Sequence, residues 1–405
     1  METGSGELKE TNKELVSSIK ERIEAISSLR SIFIVPEKLR TSGNDHGNEM
    51  YIPDTVSIGP FHHHRNGNLK VKEEHKLHYL YTLLSRKPNL EATLHQCIKA
   101  LGDIEQTARH CYEGTLNHKS DEFVEIMLID GCFIIELFLK YAYKGLRRRG
   151  DLIFTSELFF DVRKDLILLE NQIPWMVLQS LFEIVPKPTP RTLSELALGF
   201  FKKMLPGELE FLREKFSQEG NHLLDLIHQC YIPTYAIVES KKAGEPKAED
   251  MKCASDLRKH GIKFMRYTAA SLLDISFYKG VFEIPPLETK KYNKILFKNL
   301  IALEQHHSDQ IQYFTSYAKL MKAFISCKED AKLFTHLRIV VSDSKDKAKH
   351  KDRDMVKEEA LSLFSSLCDR VDVKKFYYAG VVGEANDYVT KGKSWWQKLK
   401  CGCLI

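Results

Sequence analysis

Residues 123 to 143 read FVEIMLIDGCFIIELFLKYAY, and the fold turns on how this stretch is read. Its apolar residues do not keep to one stripe. They surround the whole circumference of a helix, the pattern of a helix buried on nearly all sides. The length approaches that of a membrane span, but Glu125, Asp130 and Glu136 interrupt it, and a span needs roughly 20 continuous apolar residues. The stretch is therefore expected to be the central helix of a globular, helical protein.

Its carboxylates pose the first chemical question. Glu125 and Glu136 are eleven residues apart, about three turns, so they share a face, with Asp130 on another side. A carboxylate on such a helix is expected to be held by an ion pair or by loop backbone. The other reading is a raised pKa, which would make Asp130 a candidate general acid.

Outward from this helix the pattern stays helical. Upstream, HKLHYLYTLLSR (75–86) offers a stripe of Leu77, Leu80, Tyr81 and Leu84, stopped by Lys87-Pro88. Asn89 is placed to cap the next helix, whose repeat is Leu94, Cys97, Ile98, Leu101 and Ile104. Downstream, VRKDLILLENQIPWMVLQSLFEIV (162–185) must kink or break at Pro174, which lacks a backbone donor. Helical spacing returns in LSELALGFFKKML (193–205) and from about Lys294 to Phe324. Residues 29–40, LRSIFIVPEKLR, read as an extended clip. Residues 261–286 alternate at period two, and Lys279-Gly280 predicts a hairpin turn. The expected fold class is mainly α: an irregular multi-helix bundle with one small antiparallel hairpin or meander at 261–286. An amphipathic extension (1–28, with Leu15, Ile19, Ile23 and Ile26 at helical spacing) precedes a body at 29–390. Charged loops interrupt the body near 239–252 and 342–354, and a basic tail follows at 391–405.

The 405 residues are 43% hydrophobic with a formal charge of +5. A sizeable core is available, and neither the charge nor any motif indicates nucleic acid. Nine cysteines without a CxxC pair, after a polar N-terminus, fit no simple disulfide framework and lead to the expectation of a reducing compartment. There is no GxSxG, P-loop, GxGxxG or HExxH motif.

Three clusters carry candidate chemistry. In YIPDTVSIGPFHHHRNGNL (51–69), His62 and His64 can share a face, and His75 and His78 lie a turn apart on the next helix. These four imidazoles are the metal candidates, although no cysteine supports a zinc site. A polar centre drawn from His62, His63, His75, Asp130, Glu170, Asn171 and Gln172 is the enzyme candidate, with His62, His63, Asp130 and Glu170 in catalytic roles. The structural alternative assigns the side chains of 170–172 to carbonyls freed by Pro174. No cofactor or small-molecule substrate is indicated. Finally, KGKSWWQKLKCGCLI (391–405) places Lys391, Lys393, Lys398 and Lys400 around Trp395 and Trp396, ahead of Cys401 and Cys403. Cysteine is not fourth from the end, so a prenylation motif fails. S-acylation of the pair needs no such register, and basic charge plus acyl chains anchors to an anionic membrane.

Longer motifs point to a family. VPEKLR (35–40), VSIGPFHH (56–63) with EEHKLHYL (73–80), the 123–139 block, RKDLILLENQIPWMVL (163–178), HLLDLIHQCYIP (222–233), ASDLRKHGIKF (254–264), LDISFYKGVFEIPPL (273–287) and FKNLIALEQ (297–305) occur in order. From about residue 30 to 390 the chain resembles the plant family called domain of unknown function 247. His64 stands where the family commonly has glycine. The resemblance implies a largely helical fold, usually with a C-terminal transmembrane helix, whose place CGCLI takes here. It implies no enzymatic activity, and some grass members are linked to pollen–pistil self-recognition. The expectation is a non-enzymatic interaction protein with an unidentified protein partner. It would sit peripherally on the cytoplasmic side of a membrane, or in the cytoplasm if the tail is unmodified. The alternatives are an enzyme of unrecognised class and a soluble paralogue competing for the partners of anchored members.

Overall fold

The computed structural model describes residues 16, 31–40, 50–63, 69–188, 190–207, 209–216, 220–233, 247–290, 292–306, 310–342 and 351–400, the side chains of 156, 342, 351–356 and 392–400 excepted. The decisive stretch forms α4 (Ser120–Ala142), in which Phe123 and every residue from Ile126 to Lys140 are buried. Two helices upstream and two downstream surround it: α2 (Glu73–Leu84), α3 (Leu90–His110), α6 (Trp175–Ile184) and α7 (Leu193–Phe201). Asn89 caps α3 as expected, its side chain accepting from Ala92 N at 2.9 Å. Gly131 makes the α4–α6 approach possible, since a Cβ there would stand 2.4 Å from Leu181 Cδ1.

The 162–185 block breaks rather than kinks. Helix α5 (Ser156–Asp165) ends before an irregular turn, and α6 restarts after Pro174 at its N-cap. Residues 31–36 are extended and bridge Tyr112 through Ile32, but Glu37–Arg40 close into one helical turn, α1. Short helices α8 (Leu209–Phe216), α9 (Leu223–Gln229) and α10 (Ala254–Lys259) lead to the β segment.

That segment is mixed, not wholly antiparallel. Strands β2 (Ser276–Tyr278) and β3 (Val281–Ile284) form the expected hairpin, with Lys279 and Gly280 at φ 46° and 84°. Positive φ at both central positions is the turn whose twist matches paired strands. Strand β1 (Lys263–Arg266), however, runs parallel to β3, giving the order β1-β3-β2. The hairpin folds back so that its second strand, not its first, lies against β1. A second, two-stranded parallel sheet pairs β4 (Leu287–Thr289) with β5 (Val340–Ser342).

Helices α11 (Asn293–His306), α12 (Tyr313–Phe324), α13 (Lys328–His336), α14 (Lys351–Leu367) and α15 (Ala379–Lys400) complete the body. Helix α14 starts inside the charged segment assigned to a loop at 342–354. The 1–28 extension (Val16 apart), residues 239–246 and 343–350, His64, Cys401 and Cys403 lie outside the described residues, as do the side chains of Lys393, Trp395, Trp396, Lys398 and Lys400. No helix among the described residues is long and apolar enough to cross a membrane.

The stripe assigned to α2 is corrected. Leu77 and Tyr81 are exposed, and the buried face is Lys76, Tyr79, Leu83 and Leu84. A lysine faces the core because a carboxylate waits there.

Candidate functional site

Residues 55–60 run through the interior without helix or strand, and all six are buried. A buried peptide group needs a hydrogen-bond partner; Val71 N donates to Thr55 O at 2.9 Å, but among the described residues no strand pairs with this segment. Side chains from α2, α4 and the α5–α6 turn take that place. Asp165 Oδ2 accepts from Thr55 N at 2.7 Å and Val56 N at 2.9 Å. Asn171 accepts from Ile58 N at 2.7 Å and donates to Val56 O at 3.0 Å. Asp130 Oδ2 accepts from Gly59 N at 2.8 Å, and Lys76 Nζ donates to Ser57 O at 3.1 Å.

Gly59 adopts φ 76°, and a Cβ there would stand 2.5 Å from Gln172 O. No other residue fits without moving the α5–α6 turn. That turn is itself internally bonded. Gln172 donates to Leu166 O and Leu168 O at 2.9 and 2.8 Å and accepts from Leu224 N, and Asn171 also donates to Asp165 O. The structural reading fits Asn171 and Gln172, whose amides satisfy carbonyls left free where the helix is interrupted, but not Glu170, whose carboxylate bonds elsewhere.

Asp130 and Lys76 form the frame's ion pair, 2.5 Å apart with both side chains almost fully buried. Burial alone would discharge the lysine, but the carboxylates of Asp130 and Glu73 outweigh it and hold the amine protonated. Burial raises the pKa of Asp130 against the pull of Lys76. Asp165 has no comparable cation: Lys164 stands 3.9 Å from Oδ1, and burial pushes the acid up to about 7. Glu136 on the same helix is buried against Arg86 at 2.7 Å, whereas Glu125 is exposed, so the face they share leads to two environments.

Glu170 joins the clip to the frame. It accepts from Val35 N at 2.6 Å, pairs with Arg40, and lies 3.2 Å from His62 Nε2. The clip, the Gly59 segment and the α5–α6 turn therefore meet on one carboxylate. His63 lies elsewhere, edge-on to His118 at 6.3 Å between centroids. His75 Nδ1 accepts from Lys72 N at the start of α2, and His78 is exposed. Among the described residues no group of three or more His, Cys, Asp or Glu side chains is placed to hold a metal ion.

The candidate residues thus divide. His62, Asp130, Glu170, Asn171 and Gln172 are brought together, and His63, His75 and His78 are not. Those that converge are directed at backbone groups and at each other. Two open clefts lie elsewhere. One, of about 350 Å³, is lined by Leu205, Tyr231, Arg266, Leu287 and Tyr292, and the other, of about 360 Å³, by Trp175, Glu183, Lys187 and Arg191.

Sequence reasoning missed Lys76, Asp165 and Asn299. Asn299 accepts from Leu169 N and donates to Met50 O, tying α11 to the same turn. Each has charged or polar neighbours in the sequence (Glu74 and His75, Arg163 and Lys164, Lys298), so no local signal set it apart.

Residues 32–402 match the family model DUF247, described as a plant protein of unknown function. The UPF0481 protein At3g47200 of Arabidopsis thaliana is 28% identical over 335 residues, spanning 77% of this chain and 68% of the relative. The putative UPF0481 protein At3g02645 of the same plant is 21% identical, over 93% of this chain and 84% of its own length. No solved structure matches the chain. The chain belongs to the DUF247 family of plant proteins of unknown function.

Proposed function

We propose that this chain is a non-enzymatic interaction protein that binds protein partners at a membrane surface, held there peripherally by its basic tail. One observation carries the non-enzymatic part. The polar residues that sequence reasoning grouped as a catalytic centre use their hydrogen-bonding capacity on buried backbone, as Asp130 does at Gly59 N and Asn171 at Ile58 N and Val56 O. A general base must reach a substrate proton within about 2.6–3.2 Å, and these groups are already bonded inward.

Tail chemistry supports the membrane part. Lys391, Lys393, Lys398 and Lys400 bracket Trp395 and Trp396 next to Cys401 and Cys403. Cations are attracted to anionic lipid at about 1 kcal/mol each. Tryptophan rings favour the interface, and two acyl chains give stable anchoring where one does not.

Fractionation of the tagged full-length chain from plant cells, with and without hydroxylamine to cleave thioesters, tests the reading. The expected result is a membrane-fraction protein released by hydroxylamine and by the Cys401→Ser/Cys403→Ser pair. A chain found wholly in the soluble fraction would overturn the membrane assignment.

A further inference from the structure

The two edges of the three-stranded sheet are treated differently. Helix α15 covers the β2 side of the hairpin: the Tyr388 ring lies edge-on to Phe277 at 5.9 Å, and a Cβ on Gly280 would meet it at 2.6 Å. Along β1 the register leaves the other edge open. Lys263 N and Tyr267 N donate towards β3, to Gly280 O and Ile284 O. Alternation therefore points the Phe264 and Arg266 N–H and C=O groups away from β3. Among the described residues no strand pairs with β1 on that side. The same edge carries uncovered apolar side chains, with Met265 47% and Tyr267 44% exposed, and Tyr278 across the sheet at 67%.

An open edge with backbone donors and acceptors is a template for another strand. Charge decides which strand. Lys263 and Arg266 are both exposed. If two copies paired antiparallel through this edge, only residues on the same face would oppose, such as Arg266 with Phe264 and Lys263 with Met265 or Tyr267, so neither cation would meet an acid. Exposed charged side chains on an edge strand are also an ordinary guard against edge-to-edge aggregation. The same two cations favour a strand carrying acids at those positions.

We propose that the β1 edge, Lys263–Arg266, is a strand-addition site for an extended acidic segment of a partner protein. This rests on the interaction reading above and names the partner's chemistry. Opposite Lys263, Phe264, Met265 and Arg266 the favoured side chains are acidic, apolar, aromatic and acidic. The pattern has an acid at each end, so it suits parallel or antiparallel addition. Main-chain bonds supply the alignment and the flanking acids supply the selectivity.

The test is a titration of the full-length chain, at low salt, with a fluorescein-labelled, end-blocked peptide centred on glutamate, valine, tyrosine and glutamate. A counterpart with lysine in place of both glutamates serves as the comparison. The expected result is at least tenfold tighter binding of the acidic peptide. The K263E/R266E variant, altered only at exposed positions, should reverse the preference. N-methylation of the acidic peptide at alternate residues should remove at least tenfold of its affinity, because that blocks the ladder while keeping the charge. Three outcomes overturn the site: no preference between the peptides, an acidic preference that survives the charge reversal, or undiminished binding of the N-methylated peptide. The second would assign the attraction to cations elsewhere, such as the tail. The fractionation test reads the tail alone, so either result can fail without the other.

Discussion

The buried segment 55–60 and the hairpin 276–284 face the same physical demand and meet it in opposite ways. In the hairpin, each strand satisfies its neighbour's backbone, so the inward side chains are free to be aromatic. Phe264 and Phe282 stack at 5.5 Å between centroids, Phe277 lies 4.7 Å from Phe282, and Phe324 closes over them at 4.9 Å. Among the described residues no strand lies beside segment 55–60, and Asp165, Asn171, Asp130 and Lys76 supply what a strand would have supplied. The difference teaches that a convergence of buried Asp, Asn, Lys and His need not mark chemistry. Here it marks a stretch of irregular backbone that the core had to accommodate.

Two substitutions should be the most damaging, and pH should separate them. Lys76→Met leaves Asp130 buried without its cation and should cost about 3–5 kcal/mol at neutral pH. Phe282→Ala opens a cavity in the aromatic core and should cost a similar amount, about 3–5 kcal/mol. Urea unfolding across pH distinguishes them. The Lys76→Met penalty should shrink as pH falls and Asp130 takes up a proton, whereas the Phe282→Ala penalty should stay constant. Parallel pH profiles would erase the contrast between the two regions.

Next in size is Asp165→Asn. Its carboxyl is raised by burial from 3.8 to about 7. A raised acid adds stability that is fully present below the unfolded value and is lost as pH rises through the folded one. The wild type should therefore lose on the order of 2–4 kcal/mol between about pH 4 and pH 7 through this group. The asparagine variant keeps an acceptor for Thr55 N and Val56 N and should lack that loss. Its stability relative to wild type should climb over that window, and a flat difference would remove Asp165 from the account. Smallest is Gly280→Ala in the hairpin turn. Strain at φ 84° and the nearby Tyr388 ring should cost about 1–2 kcal/mol with no pH dependence.

Much of the fold was legible because its signals are local. The all-round apolar run of α4, the Asn89 cap, the break at Pro174 and the Lys279-Gly280 turn each depend on residues within a few positions. What was not legible depends on distant partners. Leu77 and Tyr81 read as core but are exposed, and Lys76 turns inward because Asp130, 54 residues on, needs a cation. Strands of three residues such as β4 and β5 have too little period to detect, and theirs pair across more than fifty residues. Within the site, the carbonyl-capping roles of Asn171 and Gln172 could be read from Pro174, whereas the role of Glu170 at Val35 N, 135 residues away, could not. The work of Asp165 could not, since its partners lie 110 and 109 residues away.

The account's central claim is that the buried polar cluster is a frame for backbone. The most direct test is a double-mutant cycle on Lys76→Met and Asp130→Asn, read by urea unfolding at pH 7. Asparagine preserves an acceptor for Gly59 N while removing the charge. The Lys76→Met single variant should be severely destabilised, the double variant should recover substantially, and the coupling energy should be about 2–3 kcal/mol. Additive penalties, or a Lys76→Met chain as stable as the wild type, would contradict the claim.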